Sequence, residues 1–125
     1  MKERRKHPRV PIRLPFEYWK TDDGCHAGLV GNLSETGALI YSIGNMPIGT
    51  QLNIRIFFIK GYELAAFQAM ARIVWEEDCF QENWKGYQYG LEFTSISQED
   101  RCKLVGLVNG RFSSKDTNTS VQNVV

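Results

Sequence analysis

Apolar and polar residues alternate with a period of two over much of the chain between residues 12 and 94. This period indicates half-buried β-strands, because successive side chains of a strand point to opposite faces. Turn residues such as Gly, Asp and Asn separate the alternating runs, which is typical of an all-β protein. The predicted strands lie near 12–20, 25–33, 37–43, 51–60, 63–77 and 86–94.

Turn residues and apolar sets predict how the strands connect and which of their faces are buried. Thr21-Asp22-Asp23-Gly24 and Lys60-Gly61 predict turns between strands, since Asp-Gly and glycine tolerate a positive φ. Six antiparallel strands with one apolar face each close into a barrel or fold into a sandwich, because both arrangements hide strand edges. The apolar sets are Leu52, Ile54, Ile56 and Phe58, then Phe67, Ala69, Ala71, Ile73 and Trp75, and then Tyr87, Tyr89, Leu91 and Phe93.

A change of period after residue 94 predicts one C-terminal α-helix. Ser97 is a suitable N-cap, and Glu99 and Asp100 place carboxylates in the first turn, where the helix dipole favours them. Gly110 is a suitable C-terminal stop, so we expect a helix of about twelve residues. Its apolar side chains would either cap the barrel or form a homodimer contact. These side chains are Leu104, Leu107, Val108 and Phe112.

Composition divides the chain into three parts. Residues 1–11 contain a charge cluster and two prolines, and we expect a flexible basic arm there. Residues 12–112 hold the predicted barrel and helix. Residues 113–125 are rich in Ser, Asn, Thr, Lys and Asp, which predicts a disordered tail.

The net charge of +1 hides an uneven distribution of the 15 basic and 14 acidic residues. Six basic side chains fall in the first thirteen residues, where only Glu3 opposes them. Such a local charge can attract a phosphate or a nucleic-acid backbone, although a solvated basic tail has the same composition. The basic residues are Lys2, Arg4, Arg5, Lys6, Arg9 and Arg13.

Other features restrict the function classes. No run of about 18 apolar residues is present, so we expect no membrane span. Cys25, Cys79 and Cys102 show neither metal-ligand spacing nor a disulfide framework, which favours a reducing cytoplasm. His7 and His26 have no paired carboxylate or metal-like spacing. Because no phosphate-binding glycine loop, zinc motif or nucleophile elbow occurs, we expect neither an enzyme nor a metal site.

The first candidate motif is Arg5-Lys6-His7-Pro8-Arg9, with two arginines four positions apart. Pro8 disfavours a helix here, so we expect both guanidinium groups to lie on an extended or turned segment. The planar fork of arginine can donate two parallel hydrogen bonds to guanine or bind a phosphate. Alone, the motif is common in basic termini.

The second candidate motif is Asn32-Leu33-Ser34-Glu35-Thr36-Gly37. Asn32 and Ser34 are two positions apart, so on an extended backbone they project together and can read the polar edge of a base. Gly37 permits a positive φ or the close approach of a ligand. The alternative is a simple β-turn in which Asn and Ser bond to nearby backbone groups.

Together the two motifs resemble those of the PilZ domain, a bacterial receptor module for cyclic di-GMP. That family has R-x-x-x-R near its start and a later (D/N)-x-S-x-x-G, in the order found here. Residues 9–12, 71–75 and 89–93 are also similar to the family, and the resemblance covers roughly residues 4–112. It implies a six-stranded antiparallel split barrel with one C-terminal helix, and cyclic di-GMP as a ligand without any cofactor.

The resemblance also implies roles for individual residues. Arg5 and Arg9 would contact guanine and phosphate. Asn32 and Ser34 would form hydrogen bonds to a guanine, and Gly37 would hold the turn. An asparagine offers guanine only a neutral acceptor, where the commoner aspartate of the family offers a charged one. This difference predicts weaker binding.

Three further positions bear on the resemblance. Arg4 precedes the first motif arginine, where a neighbouring residue influences whether the family binds one or two ligand molecules. Trp75 is a candidate for stacking on guanine, although its position on the same face as Ile73 favours core packing. Ala38 follows the motif glycine, where the family commonly has a second glycine.

The resulting hypothesis is a cyclic di-GMP receptor that changes conformation on binding and signals to a partner protein. The arginine arm would fold over the ligand, since charge-assisted hydrogen bonds offset the entropy of ordering it. One alternative is an interaction module that keeps the barrel but binds no ligand. Another is a single-stranded nucleic-acid binder, which requires several exposed aromatic residues on adjacent strands.

Overall fold

The computed structural model describes residues 9–20, 24–81 and 84–110 of the chain. The first eight residues, which include Arg4 and Arg5, and the predicted tail at 113–125 lie outside the described residues, as does most of the turn predicted at 21–24. The described residues form six strands and one helix. Their bounds are β1 Val10–Trp19, β2 His26–Leu33, β3 Gly37–Ser42, β4 Gln51–Lys60, β5 Glu63–Gln81, β6 Trp84–Ser95 and α1 Gln98–Val108.

The six strands form a closed antiparallel barrel in the order β1-β2-β3-β6-β5-β4, and pairing between β4 and β1 completes the circle. The predicted all-β class, the six-stranded barrel and the C-terminal helix are therefore confirmed. β1 begins at Val10 rather than at Ile12, and β5 extends to Gln81. Each of the six strands has a neighbour on both sides, and the closing β1–β4 pairing joins Phe16–Trp19 to Asn53–Ile56.

The β4–β5 pair shows the alternation most clearly. The two strands keep one register from the pair of Gln51 and Arg72 to the pair of Lys60 and Glu63. Gly61 has a φ of 65°, which makes the turn predicted between them. The inward-facing side chains of β4 are all buried, as the period of two predicts. They are Leu52, Ile54, Ile56 and Phe58.

Helix α1 packs on the barrel instead of leaving its apolar face free. Ser97 caps its start, because the hydroxyl oxygen accepts a hydrogen bond from the Asp100 N–H at 3.1 Å. Leu104 and Leu107 are fully buried in the core cluster, so they cap the barrel. Lys103 donates to the carbonyl of Ala66 on β5 at 3.0 Å. No helix in the described part of the chain has the length and apolar character needed to cross a membrane.

Two buried tyrosines hold the connection between β3 and β4. The Tyr89 hydroxyl donates to the Gly44 carbonyl at 2.6 Å and accepts from the Met46 N–H at 2.8 Å. The Tyr18 hydroxyl lies 2.6 Å from the Ser42 hydroxyl. Burial raises the pKa of the Tyr89 phenol above its ordinary value.

The position of Trp75 corrects one prediction from the alternation. Ile73 pairs with Leu91 and Trp75 pairs with Gly90, so the register shifts between Ile73 and Trp75. Such an irregularity reorients the following side chain. Ile73 is fully buried, whereas Trp75 is 42% exposed. The expectation that Trp75 shares the buried face with Ile73 and packs in the core is therefore wrong.

Candidate functional site

The strand register aligns one residue from each of five neighbouring strands. Pro11 of β1 pairs with Asn32 of β2, which pairs with Leu39 of β3. Leu39 pairs in turn with Gly90 of β6, and Gly90 pairs with Trp75 of β5. These five residues, called the outer row below, face away from the core. On β1, β2, β3 and β6 alternation with buried neighbours places them there, and on β5 the register shift before Trp75 does so. Three strand spacings separate Asn32 from Trp75, which is about 14 Å.

A surface cavity of about 520 Å³ lies along this row. Its volume is within the range of about 300–1,000 Å³ typical of ligand sites. Arg9 of the first motif and Trp75 both line it, whereas Asn32 is not among the lining residues and pairs with Leu39, which is. The lining residues are Arg9, Leu39, Val74, Trp75, Gln88 and Gly90.

Gly90 allows the indole of Trp75 to lie against the sheet. A Cβ atom at position 90 would come within 3.2 Å of Trp75 Cβ and 3.6 Å of its Cε3. The tighter of these two contacts is with the Cβ atom, so the glycine leaves room for the base of the Trp75 side chain. An aromatic ring that is partly exposed beside a cavity offers a surface for stacking a base.

Asn32 carries an acceptor that the described residues do not satisfy. Its Oδ1 atom is buried and accepts no hydrogen bond within the described part of the chain. Burying a polar atom without a partner costs about 1–3 kcal/mol, and such atoms are rare in folded proteins. The β-turn interpretation expects the asparagine side chain to bond to nearby backbone groups. Its Oδ1 atom makes no such bond within the described residues. A ligand that brings N–H donors to this position would satisfy the atom.

Ser34 behaves differently from Asn32. Its hydroxyl oxygen accepts hydrogen bonds from the N–H groups of Gly37 at 3.1 Å and Thr36 at 3.2 Å. Ser34 is 2% exposed, and the extended backbone of β2 ends one residue before it, at Leu33. For Ser34 the β-turn interpretation therefore describes the structure.

Gly37 is required for a reason that the sequence did not indicate. Its φ is not among the positive values of the described glycines. A Cβ atom at this position would lie 2.1 Å from the Leu91 carbonyl oxygen on β6. The close approach predicted at Gly37 is therefore made by a neighbouring strand. The glycine holds the turn of the second motif tightly against β6.

Gln88 and Tyr41 are residues of this face that the sequence analysis missed. They form a cross-strand pair, and Gln88 Nε2 donates to the Tyr41 hydroxyl at 3.3 Å. The only local signal was a polar side chain between Tyr87 and Tyr89, at a position that alternation places on the outer face. In the described part of the chain, no group of His, Cys, Asp and Glu residues has a metal-binding arrangement.

The fold and this face describe a small β-barrel with a candidate ligand site on its outer surface. The family model of the PilZ domain matches residues 3–110. The chain therefore belongs to the PilZ domain family. No curated protein sequence matches the chain.

Solved structures give the same fold at low sequence identity. The Bacillus subtilis inhibitor of motility MotI/DgrA is 16% identical, with a TM-score of 0.71 over 88% of this chain and 52% of that one. The PilZ domain of Escherichia coli YcgR, solved with c-di-GMP, is 11% identical, with a TM-score of 0.67 over 96% and 98%. The K. pneumonia MrkH–c-di-GMP complex is 10% identical, with a TM-score of 0.64 over 99% and 57%. This chain thus spans about half the length of MotI and nearly all of the YcgR domain.

Proposed function

We propose that this chain is a cyclic di-GMP receptor that acts on a partner protein without catalysing a reaction. Membership of the PilZ family supports this function, and two similar structures, the YcgR domain and MrkH, are complexes with c-di-GMP. The observation that carries the proposal is the outer row. A motif arginine and an exposed tryptophan line one cavity beside this row, and the strand register places the motif asparagine in the same row, paired with the cavity-lining Leu39.

Each residue has a chemical task in this proposal. Arg9, with Arg5 and Arg4 of the same arm, donates hydrogen bonds to phosphate and to a guanine edge. Asn32 Oδ1 accepts from the N–H donors of a guanine, which gives the buried atom its missing partner. Trp75 stacks on a base. Ser34 and Gly37 fix the turn that positions Asn32.

The output of the receptor is a change of conformation. Two phosphates and two guanines can bridge the arginine arm and the barrel, so binding would order one against the other. We propose that the complex then presents a new surface to a partner protein in the cytoplasm. The free thiols of Cys25 and Cys102 suit this reducing compartment. Saturating ligand should slow hydrogen exchange in residues 1–11, and unchanged exchange there would contradict the conformational step.

A calorimetric titration with cyclic di-GMP tests the proposed function. Arg9→Ala removes a charged fork from the cavity, and we expect binding at least about tenfold weaker, since a bidentate arginine contact is worth about 1–3 kcal/mol. Arg55→Ala is the matched control, because Arg55 lies on β4 and bonds to Glu17. Its affinity should equal that of the unaltered protein. No measurable heat with the unaltered protein at high ligand concentration would contradict the proposal and favour a ligand-independent interaction module.

The nucleic-acid alternative needs a platform of exposed aromatic rings. Among the described residues, the large exposed aromatics are Tyr62, in the turn between β4 and β5, and Trp75. They do not lie on adjacent strands as neighbours, so they provide no continuous stacking surface. Single-stranded DNA in the same titration should bind weakly and lose its affinity as salt is raised.

A further inference from the structure

We propose that Gln88, held in place by Tyr41, recognises a guanine edge in the cavity that Trp75 lines. This inference rests on the proposed function and adds a recognition residue that lies in neither motif. The amide of Gln88 lines the same cavity as Arg9 and Trp75. It lies two residues before Gly90 on β6, so its side chain leaves the sheet on the same face as the outer row.

Of the two polar atoms of the Gln88 amide, Nε2 forms a hydrogen bond within the described part of the chain and Oε1 does not. Its Nε2 donates to the Tyr41 hydroxyl at 3.3 Å, which leaves Oε1 as the acceptor for a ligand in the cavity that Gln88 lines. Among the described residues no other hydrogen bond involves the Gln88 side chain. A half-buried amide with one atom already engaged has lost part of its rotamer freedom before the ligand arrives, so binding costs less entropy.

The sheet in turn holds Tyr41. A Cβ atom at position 31 would lie 2.6 Å from Tyr41 Cε2, so the ring lies over Gly31 of the neighbouring strand. Tyr41 also pairs directly with Gln88 across β3 and β6. The ring therefore occupies one position against the backbone, and its hydroxyl presents a fixed partner to the amide.

The chemistry of this pair fits guanine. The Watson–Crick edge of guanine has two adjacent N–H donors, and the Gln88 Oε1 atom can accept from them. Asn32 presents a second carbonyl acceptor on the same face. The two positions are two strands apart and two residues apart along the strand, which is about 12 Å. At that separation the two amides serve different bases, and cyclic di-GMP carries two guanines.

Gln88→Leu tests the inference, because it keeps the approximate size and removes the acceptor. We expect cyclic di-GMP to bind about tenfold more weakly in a calorimetric titration, as loss of one buried hydrogen bond predicts. The matched control is Gln68→Leu, an exposed glutamine on β5 that does not line the cavity. It should bind within twofold of the unaltered protein. The melting temperature of ligand-free Gln88→Leu should match that of the unaltered protein.

Tyr41→Phe separates recognition by the amide from its positioning. Removing the hydroxyl frees the amide but leaves Oε1 in place, so we expect a loss of affinity smaller than that of Gln88→Leu. Affinity of Gln88→Leu within twofold of the unaltered protein would overturn this inference alone, since the protein would still bind cyclic di-GMP. Equal losses in Gln88→Leu and Gln68→Leu would overturn it too. Absence of binding by the unaltered protein would instead overturn the proposed function.

Discussion

The β4–β5 ladder and the outer row belong to one barrel, but their backbones are built differently. The ladder keeps a single register along the whole of β4, from Gln51 to Lys60. The outer row crosses strands whose registers shift, between Val30 and Asn32 on β2 and between Ile73 and Trp75 on β5. The regular region supplies buried side chains to the core. The irregular region turns an aromatic ring and an amide toward the outer surface.

The regular ladder contributes mainly to stability, and the irregular outer row contributes the groups that could bind a ligand. A regular ladder satisfies its backbone groups and buries every second side chain, so its residues act through packing. A shifted register gives up one regular step and reorients the side chains beside it. There Asn32 keeps a buried acceptor that no group of the described residues satisfies, an arrangement that favours a ligand with a hydrogen-bond donor.

The largest expected change in stability comes from a substitution in the β4–β5 ladder. Ile54→Ala should lower the free energy of unfolding by about 4 kcal/mol, because it empties a fully buried site in a packed core. Urea unfolding measures the change, with Asn53→Ala on the outer face of the same strand as the control. The remaining folded protein should bind cyclic di-GMP with unchanged affinity. A selective loss of ligand affinity would place the binding site inside the ladder.

Gly37→Ala should cost about 3 kcal/mol of stability, since its Cβ atom would meet the backbone of β6 and the strands would have to separate. Gly24→Ala is the matched control, because a Cβ atom there would meet no atom of the described residues within 4 Å apart from its own residue and its chain neighbours. Urea unfolding of both variants checks the result. If the two variants were equally stable, close packing of the second motif against β6 would not be the reason for the glycine.

Ser34→Ala should lower the free energy of unfolding by about 2 kcal/mol, because it leaves the N–H groups of Thr36 and Gly37 without their acceptor. Ser95→Ala, at an exposed position near the end of β6, should change it by less than about 0.5 kcal/mol. Thermal or urea unfolding without ligand distinguishes the two. Unchanged stability together with lost ligand binding would mean that Ser34 contacts the ligand directly and does not act through the turn.

Arg72→Ala should change the free energy of unfolding least among these variants. Arg72 forms an exposed ion pair with Glu92 on the outer surface, and such pairs contribute about 0.5 kcal/mol or less. We expect a slight loss of stability that disappears at high salt, and no change in affinity for cyclic di-GMP. A loss of affinity above threefold would extend the ligand site beyond the outer row toward Arg72.

The predictions from sequence succeeded where structure is local. Alternation predicted the buried set of β4, and the hydroxyl and carboxylates at residues 97–100 predicted the start of α1. The shift that exposes Trp75 was not predictable, because alternation assumes one register and an irregularity breaks it. Gln88 and Gly90 became visible only through cross-strand pairing, which depends on residues far apart in the chain.

For the second motif, the sequence allowed the turn role of Ser34 as an alternative, but it did not predict the buried acceptor of Asn32 or that β6 is what approaches Gly37. Asn32, Ser34 and Gly37 follow one another within six positions, yet they perform three different tasks. Asn32 presents an acceptor that the described residues leave unsatisfied, and Ser34 closes the turn. Gly37 allows the neighbouring strand β6 to approach closely. Only the first of these tasks depends on a ligand.

A titration of the isotope-labelled protein with cyclic di-GMP, followed by backbone amide chemical shifts, would locate the ligand on the barrel. A site on the outer row predicts the largest shifts at Asn32, Leu39, Trp75, Gln88 and Gly90. It predicts negligible shifts along β4 between Gln51 and Lys60. Shifts concentrated on β4, or no shifts at saturating ligand, would contradict a cyclic di-GMP site on the outer row.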